Sequence, residues 1–255
     1  MEFGGCEWAW VSVPEPQEGM PAWTRSAFCF VLPYFAGAGQ GRISLYARGE
    51  DYHRVAARVT QAFEQELRKQ HPHMQAKAFC DSCPFDERKL ALSAGLGVRG
   101  LNGLLLHPRY GSYVFLAELL TDLSCSALPA EESFCERCGN CLRACPTQAL
   151  GENGTDTERC LSALTQKKGS LSPQQEDQIR QGGMVWGCDR CQLTCPHNQK
   201  ALHTPLTCFS EDLLCDLSDL PQTNGEFQRQ YAGRAFTWRG KAPLERNMKI
   251  LDKKE

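Results

Sequence analysis

The first half of the chain is patterned in blocks of apolar and polar residues. Ser26-Ala27-Phe28-Cys29-Phe30-Val31-Leu32 is an unbroken apolar run stopped by Pro33, which predicts a short buried strand. At Asp51 the period changes. Val55, Val59, Phe63 and Leu67 recur every four residues, so a helix is predicted there with Asp51 as its cap. Residues 85–94 read as a second helix, closed by Gly95. Residues 101–107 and 113–120 are further apolar segments, strand or helix, between which periodicity does not decide. A polar, Gln-rich stretch at 169–183 has Pro173 placed to open a short helix. From Leu206 onward periodic signals are sparse, and no repeat of solenoid length is visible.

These patterns divide the chain into three regions: 1–130 with mixed helix and strand, 131–205 dense in cysteine, and 206–255 as a C-terminal extension. The fold class expected is α+β. The 255 residues suffice for one large or two modest cores. Net charge is −2, which excludes the whole molecule as an electrostatic trap for nucleic acid. Charge is uneven, however. From Phe227 to the end there are eight Lys/Arg against three Asp/Glu, a basic tail on a near-neutral body.

Fifteen cysteines point either to a secreted disulfide framework or to metal binding. The start, Met1-Glu2-Phe3-Gly4-Gly5-Cys6, has no basic stretch followed by a long apolar run, and no segment suits a membrane span. A reducing cytoplasm without membrane association is therefore expected, where cysteines serve metals or redox chemistry.

Two motifs carry that chemistry. The first is Cys135-x2-Cys138-x2-Cys141-x3-Cys145-Pro146 and the second is Cys188-x2-Cys191-x3-Cys195-Pro196. In double-cubane proteins three closely spaced cysteines wrap one [4Fe–4S] cluster and the Cys before Pro crosses to the other. That logic groups Cys135, Cys138, Cys141 and Cys195 on one cluster. The second then has Cys145, Cys188 and Cys191 and lacks a ligand, for which Cys160 is the candidate by position. Structural zinc is the competing reading, but it needs fewer cysteines than these spacings supply. Two adjacent clusters form an electron wire, which ends either at a partner protein or at an internal active site.

Beyond the cysteines, a series of ordered segments resembles the epoxyqueuosine reductase family. They include Val31-Leu32-Pro33-Tyr34, Tyr46-Ala47-Arg48-Gly49-Glu50-Asp51-Tyr52-His53, Asp81-Ser82-x-Pro84-x2-Glu87-Arg88 and Ala94-Gly95-Leu96-Gly97. Gly100-x-Asn102, Gly111-Ser112, Glu118-x2-Thr121-Asp122, Arg159-Cys160-Leu161-Ser162, the Gly187-to-Asn198 run and Arg246-Asn247 continue it. The resemblance implies a base-off cobalamin in an α/β first domain, followed by a bacterial-ferredoxin-like double-cluster domain. It also implies electron flow through the clusters to cobalt, and reduction of epoxyqueuosine in tRNA to queuosine. It supports Cys160 as a ligand and places Asp81 where the family has its general acid; a loop-capping aspartate is the plain alternative. Tyr46, Arg48, Asp51, His53, Gly97, Asn102 and Ser112 become candidate cobalamin contacts, against readings as helix cap, first-turn surface residue or simple turn glycine. A low-potential donor such as flavodoxin or ferredoxin and a monomeric state are the expected company.

The departures from the family bear on substrate. Few residues stand between Glu15-Pro16 and Pro21-Ala22, and the C-terminal helical repeats that many members use on tRNA are missing. Leu101 stands where a lysine is usual, Leu45 where a polar or thiol residue is common, and Cys80 and Cys83 flank Asp81 as a CxxC, which suits a redox pair, an extra metal site or small buried thiols. Arg229, Arg234, Arg239, Lys241, Arg246 and Lys249 are candidates for phosphate contacts, with Trp238 to stack on a base. Two alternatives remain: a corrinoid iron–sulfur reductase of a small molecule, resembling reductive dehalogenases, and a non-catalytic electron-transfer protein.

Overall fold

The computed structural model describes residues 2–131, 133–151 and 154–253. The chain runs through a hairpin of β1 (Glu2–Phe3) and β2 (Cys6–Ser12), then β3 (Ser26–Pro33), helix α1 (Tyr52–Gln70), β4 (Ala76–Phe79) and helix α2 (Glu87–Ser93). A small hairpin, β5 (Val98–Arg99) and β6 (Leu105–Leu106), precedes β7 (Val114–Thr121). Five strands form one sheet in the order β1-β2-β3-β7-β4, every pair antiparallel. The fold is α+β.

The sheet is covered on both faces, which explains why β3 is apolar at every position rather than at alternate ones. Ala27, Cys29 and Val31 join Leu90, Leu116 and Leu120 in the core beneath α2. Phe28, Phe30 and Leu32 join Val55, Phe63 and Leu119 beneath α1. The four-residue period of α1 drives Phe63 into that second core, where its ring centroid lies 4.9, 5.1 and 5.0 Å from those of Trp8, Phe28 and Phe30. Asp51 caps α1 by accepting the His53 backbone N–H at 3.1 Å. Of the two undecided apolar segments, 113–120 is a central strand, whereas 101–107 contributes only the two residues of β6.

The cysteine region is built from short pieces: α3 (Asn140–Ala144), a hairpin of β8 (Leu150–Gly151) and β9 (Gly154–Thr155), α4 (Leu161–Gln166), α5 (Pro173–Gly182) and α6 (Arg190–Leu193). Pro173 does open α5, with a reciprocal Ser172–Gln175 capping box. The C-terminal extension folds as α7 (Asn224–Gln230) and α8 (Ala242–Asp252), and its last two residues lie outside the described residues. This extension is no loose tail. Leu217, Phe227, Phe236 and Leu244 share one core with Ile43 of the front region and with Val185 and Trp186 of the cysteine region.

That role consumes part of the basic stretch expected to meet phosphates. Arg246 donates to the carbonyls of Lys167, Gly169 and Leu164. Arg234 donates to the Arg48 carbonyl and pairs with Asp212. Lys241 donates to the Pro221 carbonyl and also pairs with Glu245, as does Lys249. Arg229 stays exposed, and so does Trp238, with 60% of its surface open and the Arg239 guanidinium 3.8 Å over its ring centroid.

Candidate functional site

The two cysteine motifs interleave in space. One cavity is walled by Cys135, Cys138, Cys141 and Cys195, together with Gly100, Leu101 and Asn102 from the β5–β6 turn. Burial raises the Cys141 thiol above its ordinary pKa, with Cys195 and Cys135 adding to the effect, and the Cys195 thiol is raised by burial with Cys138 and Cys135 beside it. The remaining four thiols gather separately. Burial pushes Cys191 up to about 12 and Cys188 up to about 11, and Cys160 and Cys145 act on both. Cys141 also acts on Cys191, so the two groups of four are neighbours.

Coordination to iron would remove the proton that burial otherwise keeps on these crowded thiols, so their grouping suits cluster binding. Two backbone donors already point at sulfur: Leu101 N–H to Cys135 Sγ at 3.3 Å, and Ala149 N–H to Cys145 Sγ at 3.2 Å. Such bonds raise a cluster's reduction potential by stabilising its more negative state. Asn102 Nδ2, buried in the wall of the first cavity, has no partner among the described residues, and a sulfide would satisfy it. The donor set and its surroundings fit two four-iron clusters.

On the other side of the β5–β6 hairpin lies an open cleft of about 270 Å³. Tyr46, Tyr52, Phe115 and Leu105 give it apolar walls, and Asp81, Arg88 and Ser112 add polar groups. Such an amphipathic lining fits a large flat ligand with polar side groups, as a corrin is. The cleft is tied to the cluster region by a buried network. Ser112 N–H donates to Asn198 Oδ1 at 2.8 Å, and Gln192 Nε2 donates to the Tyr34 hydroxyl and the Ser112 carbonyl, each at 2.9 Å. Asp189, between Cys188 and Cys191, accepts from Ser44 Oγ and from Leu45 N–H, and Trp186 Nε1 donates to the Tyr46 hydroxyl.

Asp81 sits at the cleft with φ +60°, a backbone region costly for a residue with a Cβ. It is held there by its N–H, which donates to Glu87 Oε2 at 2.9 Å. Its Oδ2 accepts from the Tyr52 hydroxyl at 2.7 Å and lies 3.6 Å from His53 Nε2. His53 Nδ1 in turn lies 2.9 Å from Asp51 Oδ1. The His53 bond, opposed by burial and helped by Tyr52, holds the Asp81 carboxyl below its usual pKa. The bonds to Asp51 and Asp81 raise His53 to about 9. At neutral pH the proton of this trio therefore resides on His53.

The other expected cobalamin contacts separate into two sets. Tyr46 and Ser112 line the cleft. Arg48 does not: its buried guanidinium donates to the carbonyls of Ile43 and Gly39 and braces the 39–43 loop. Asp51 is the α1 cap, and His53 faces Asp81. Gly97 is glycine because a Cβ there would stand 2.5 Å from the Leu106 carbonyl oxygen, a strand contact. Asn102 belongs to the cluster cavity. Sequence reasoning named no role for Tyr52, Glu87, Gln192 or Asn198, although all four lie inside the segments that carried the resemblance.

An α+β front layer joined to two interleaved four-thiol sites defines a double-cluster iron–sulfur protein. Residues 134–198 match the model of the 4Fe-4S double cluster binding domain, and residues 15–82 match that of epoxyqueuosine reductase QueG, DUF1730. The chain belongs to the epoxyqueuosine reductase family. It is 34% identical over 262 residues to the epoxyqueuosine reductase of Gloeobacter violaceus, covering 94% of this chain and 81% of the relative. To that of Bacillus subtilis it is 36% identical over 206 residues, covering 78% and 52%. A crystal structure of epoxyqueuosine reductase with an epoxyqueuosine-modified tRNA-Tyr stem loop superposes with a TM-score of 0.78 at 30% identity, covering 90% of this chain and 64% of that one. The chain thus spans about half the length of some curated relatives and most of others. Among the described residues no helix is long and apolar enough to cross a membrane.

Proposed function

We propose that this chain reduces the epoxide of epoxyqueuosine in tRNA, with Cys135, Cys138, Cys141 and Cys195 holding one [4Fe–4S] cluster and Cys145, Cys160, Cys188 and Cys191 the other. Removing an epoxide oxygen as water, to leave a carbon–carbon double bond, takes two electrons and two protons. The clusters, when bound, supply the electrons singly from a low-potential donor. Tyr46 and Ser112 would hold a cobalamin in the cleft, and that group would supply the reducing centre for the substrate ring. What the chain itself supplies is the proton and the orientation. Tyr52 and His53 fix Asp81 Oδ2 at the cleft, and His53 Nε2 holds a proton 3.6 Å from that oxygen. As the leaving oxygen gains negative charge, the proton stored on His53 Nε2 passes through Asp81 Oδ2 to it, and solvent supplies the second proton of the water.

The observation that carries this reading is the placement of the Asp81–Tyr52–His53 trio on a cleft whose far wall, the β5–β6 turn, also walls a four-cysteine cavity. The related structure bound to a modified stem loop supports the substrate class. Exposed Trp238 with Arg239 over its ring, and exposed Arg229, are the tail candidates for contacting it. The test is single-turnover reduction of epoxyqueuosine-containing tRNA by anaerobically reconstituted protein. Asp81→Asn lowers the rate by about 10²–10⁴ at unchanged iron content. A variant as fast as wild type removes Asp81 from the reaction.

A further inference from the structure

Glu118 is an anomaly in the sheet. It lies mid-way along β7 between Leu116 and Leu120, on the face that packs against α2, and none of its surface is exposed. Its strand partners are Cys29 on β3 and Phe79 on β4. One carboxylate oxygen, Oε1, has no hydrogen-bond partner among the described residues. The other, Oε2, lies 3.6 Å from Cys83 Sγ, and that same sulfur lies 3.4 Å from Glu87 Oε2. Ligand atoms of Cys83, Glu87 and Glu118 all lie within 4.8 Å of one another.

A thiol and two carboxyls packed this closely repel when ionised. Burial raises Glu118 far above its ordinary pKa, and Glu87 adds to it. Burial likewise raises Glu87 and Cys83, each made worse by its acidic neighbours. A divalent cation would bind all three as anions, occupy the unpartnered oxygen, and release the Cys83 and Glu118 protons to solvent.

We propose that Cys83, Glu87 and Glu118 form a zinc site, separate from the eight cluster cysteines, directly beneath the Asp81 loop. One thiolate with two carboxylates is a borderline donor set that suits Zn²⁺, and three protein ligands leave a fourth position for water. The site ties together three elements: the turn carrying Cys83, the first residue of α2, and the centre of the sheet. Because Glu87 Oε2 also receives the Asp81 N–H, a cation there pins the loop in its strained conformation. The site stands whether or not the proposed reaction does.

The test uses cluster-loaded protein, handled anaerobically, incubated with zinc chloride and desalted. Wild type retains about one zinc per chain beyond its iron, and the zinc X-ray absorption edge shows one sulfur near 2.3 Å with the remaining ligands oxygen near 2.0–2.2 Å. Cys83→Ser and Glu118→Gln, both nearly isosteric, lose at least four-fifths of that zinc while iron content, which reports the fold, stays at the wild-type level. If wild type retains no more zinc than the variants, or if its zinc is bound by sulfur alone, the site does not exist. Should Glu118→Gln fail to keep its iron, Cys83→Ser and the absorption spectrum decide.

Discussion

Replacing His53 by Gln tests where the proton is stored. His53 faces Asp51 through Nδ1, Asp81 through Nε2, and stacks on Tyr52 at 4.1 Å between centroids. With a pKa of about 9 it is about 99% charged at pH 7. Glutamine keeps a donor near Asp81 but carries no proton to give. Asp81 must then be protonated from solvent, and a carboxyl of ordinary pKa is protonated to only about one part in 10³ at pH 7. The single-turnover rate at pH 7 should fall by about 10²–10³ in His53→Gln. Wild type should lose activity as pH rises through about 9, roughly tenfold per unit, whereas the variant should already be declining at acid pH. Stability follows the same sign. The raised His53 contributes fully below its unfolded value near 6.5, and the contribution is lost as pH rises through about 9. The His53 and Asp81 side chains are 40% and 58% exposed, so screening limits the pair to about 0.2–1 kcal/mol. The assay is conversion of the epoxide nucleoside measured by mass spectrometry from pH 6 to 10 with excess reductant. A His53→Gln rate within threefold of wild type at pH 7, with the same alkaline limb, refutes the proton-store argument.

Three further outcomes follow from the packing. Asn247 has no exposed surface and donates to the Thr165 and Val185 carbonyls at 2.7 and 2.8 Å, so Asn247→Ala removes two buried bonds, leaves the Thr165 carbonyl only a 3.5 Å contact from Arg246, and should cost about 1–3 kcal/mol, seen as a lowered Tm of the cluster-loaded protein. Cys160→Ser should reduce iron from about eight to about four per chain by chemical assay, with the Cys135 cluster retained. Trp238→Ala should weaken binding of a modified anticodon stem loop by about 1–3 kcal/mol in a titration, without changing iron content.

Much of the front region is readable because its signals are local. The β3 run, the Asp51 cap and the four-residue period of α1 each occupy one stretch of chain. The cysteine motifs are equally local, and the crossing of Cys145 and Cys195 is an expectation read from their spacing. Long-range placement is where local pattern stops. β2 carries Trp8 and Trp10 on one face and Ala9 and Val11 on the other, a two-sided strand whose alternation is hidden because both faces are apolar. The core of the C-terminal extension draws Leu217, Phe227, Phe236 and Leu244 from four separate short pieces, so no periodic window captures it. In sequence Arg48 reads as a cobalamin contact and Arg246 as a phosphate contact, yet their guanidiniums are taken up by backbone carbonyls of Ile43 and Lys167. Glu118 sits in an apolar strand, and only the fold brings Cys83 and Glu87 to it.

The most direct measurement is the metal and electron content of anaerobically reconstituted protein: iron and sulfide per chain, with electron paramagnetic resonance of the reduced form. The account predicts about eight iron and eight sulfide, and the signal of two interacting reduced [4Fe–4S] clusters. Iron below about one per chain, with zinc bound by the seven motif cysteines and Cys160 instead, would contradict it.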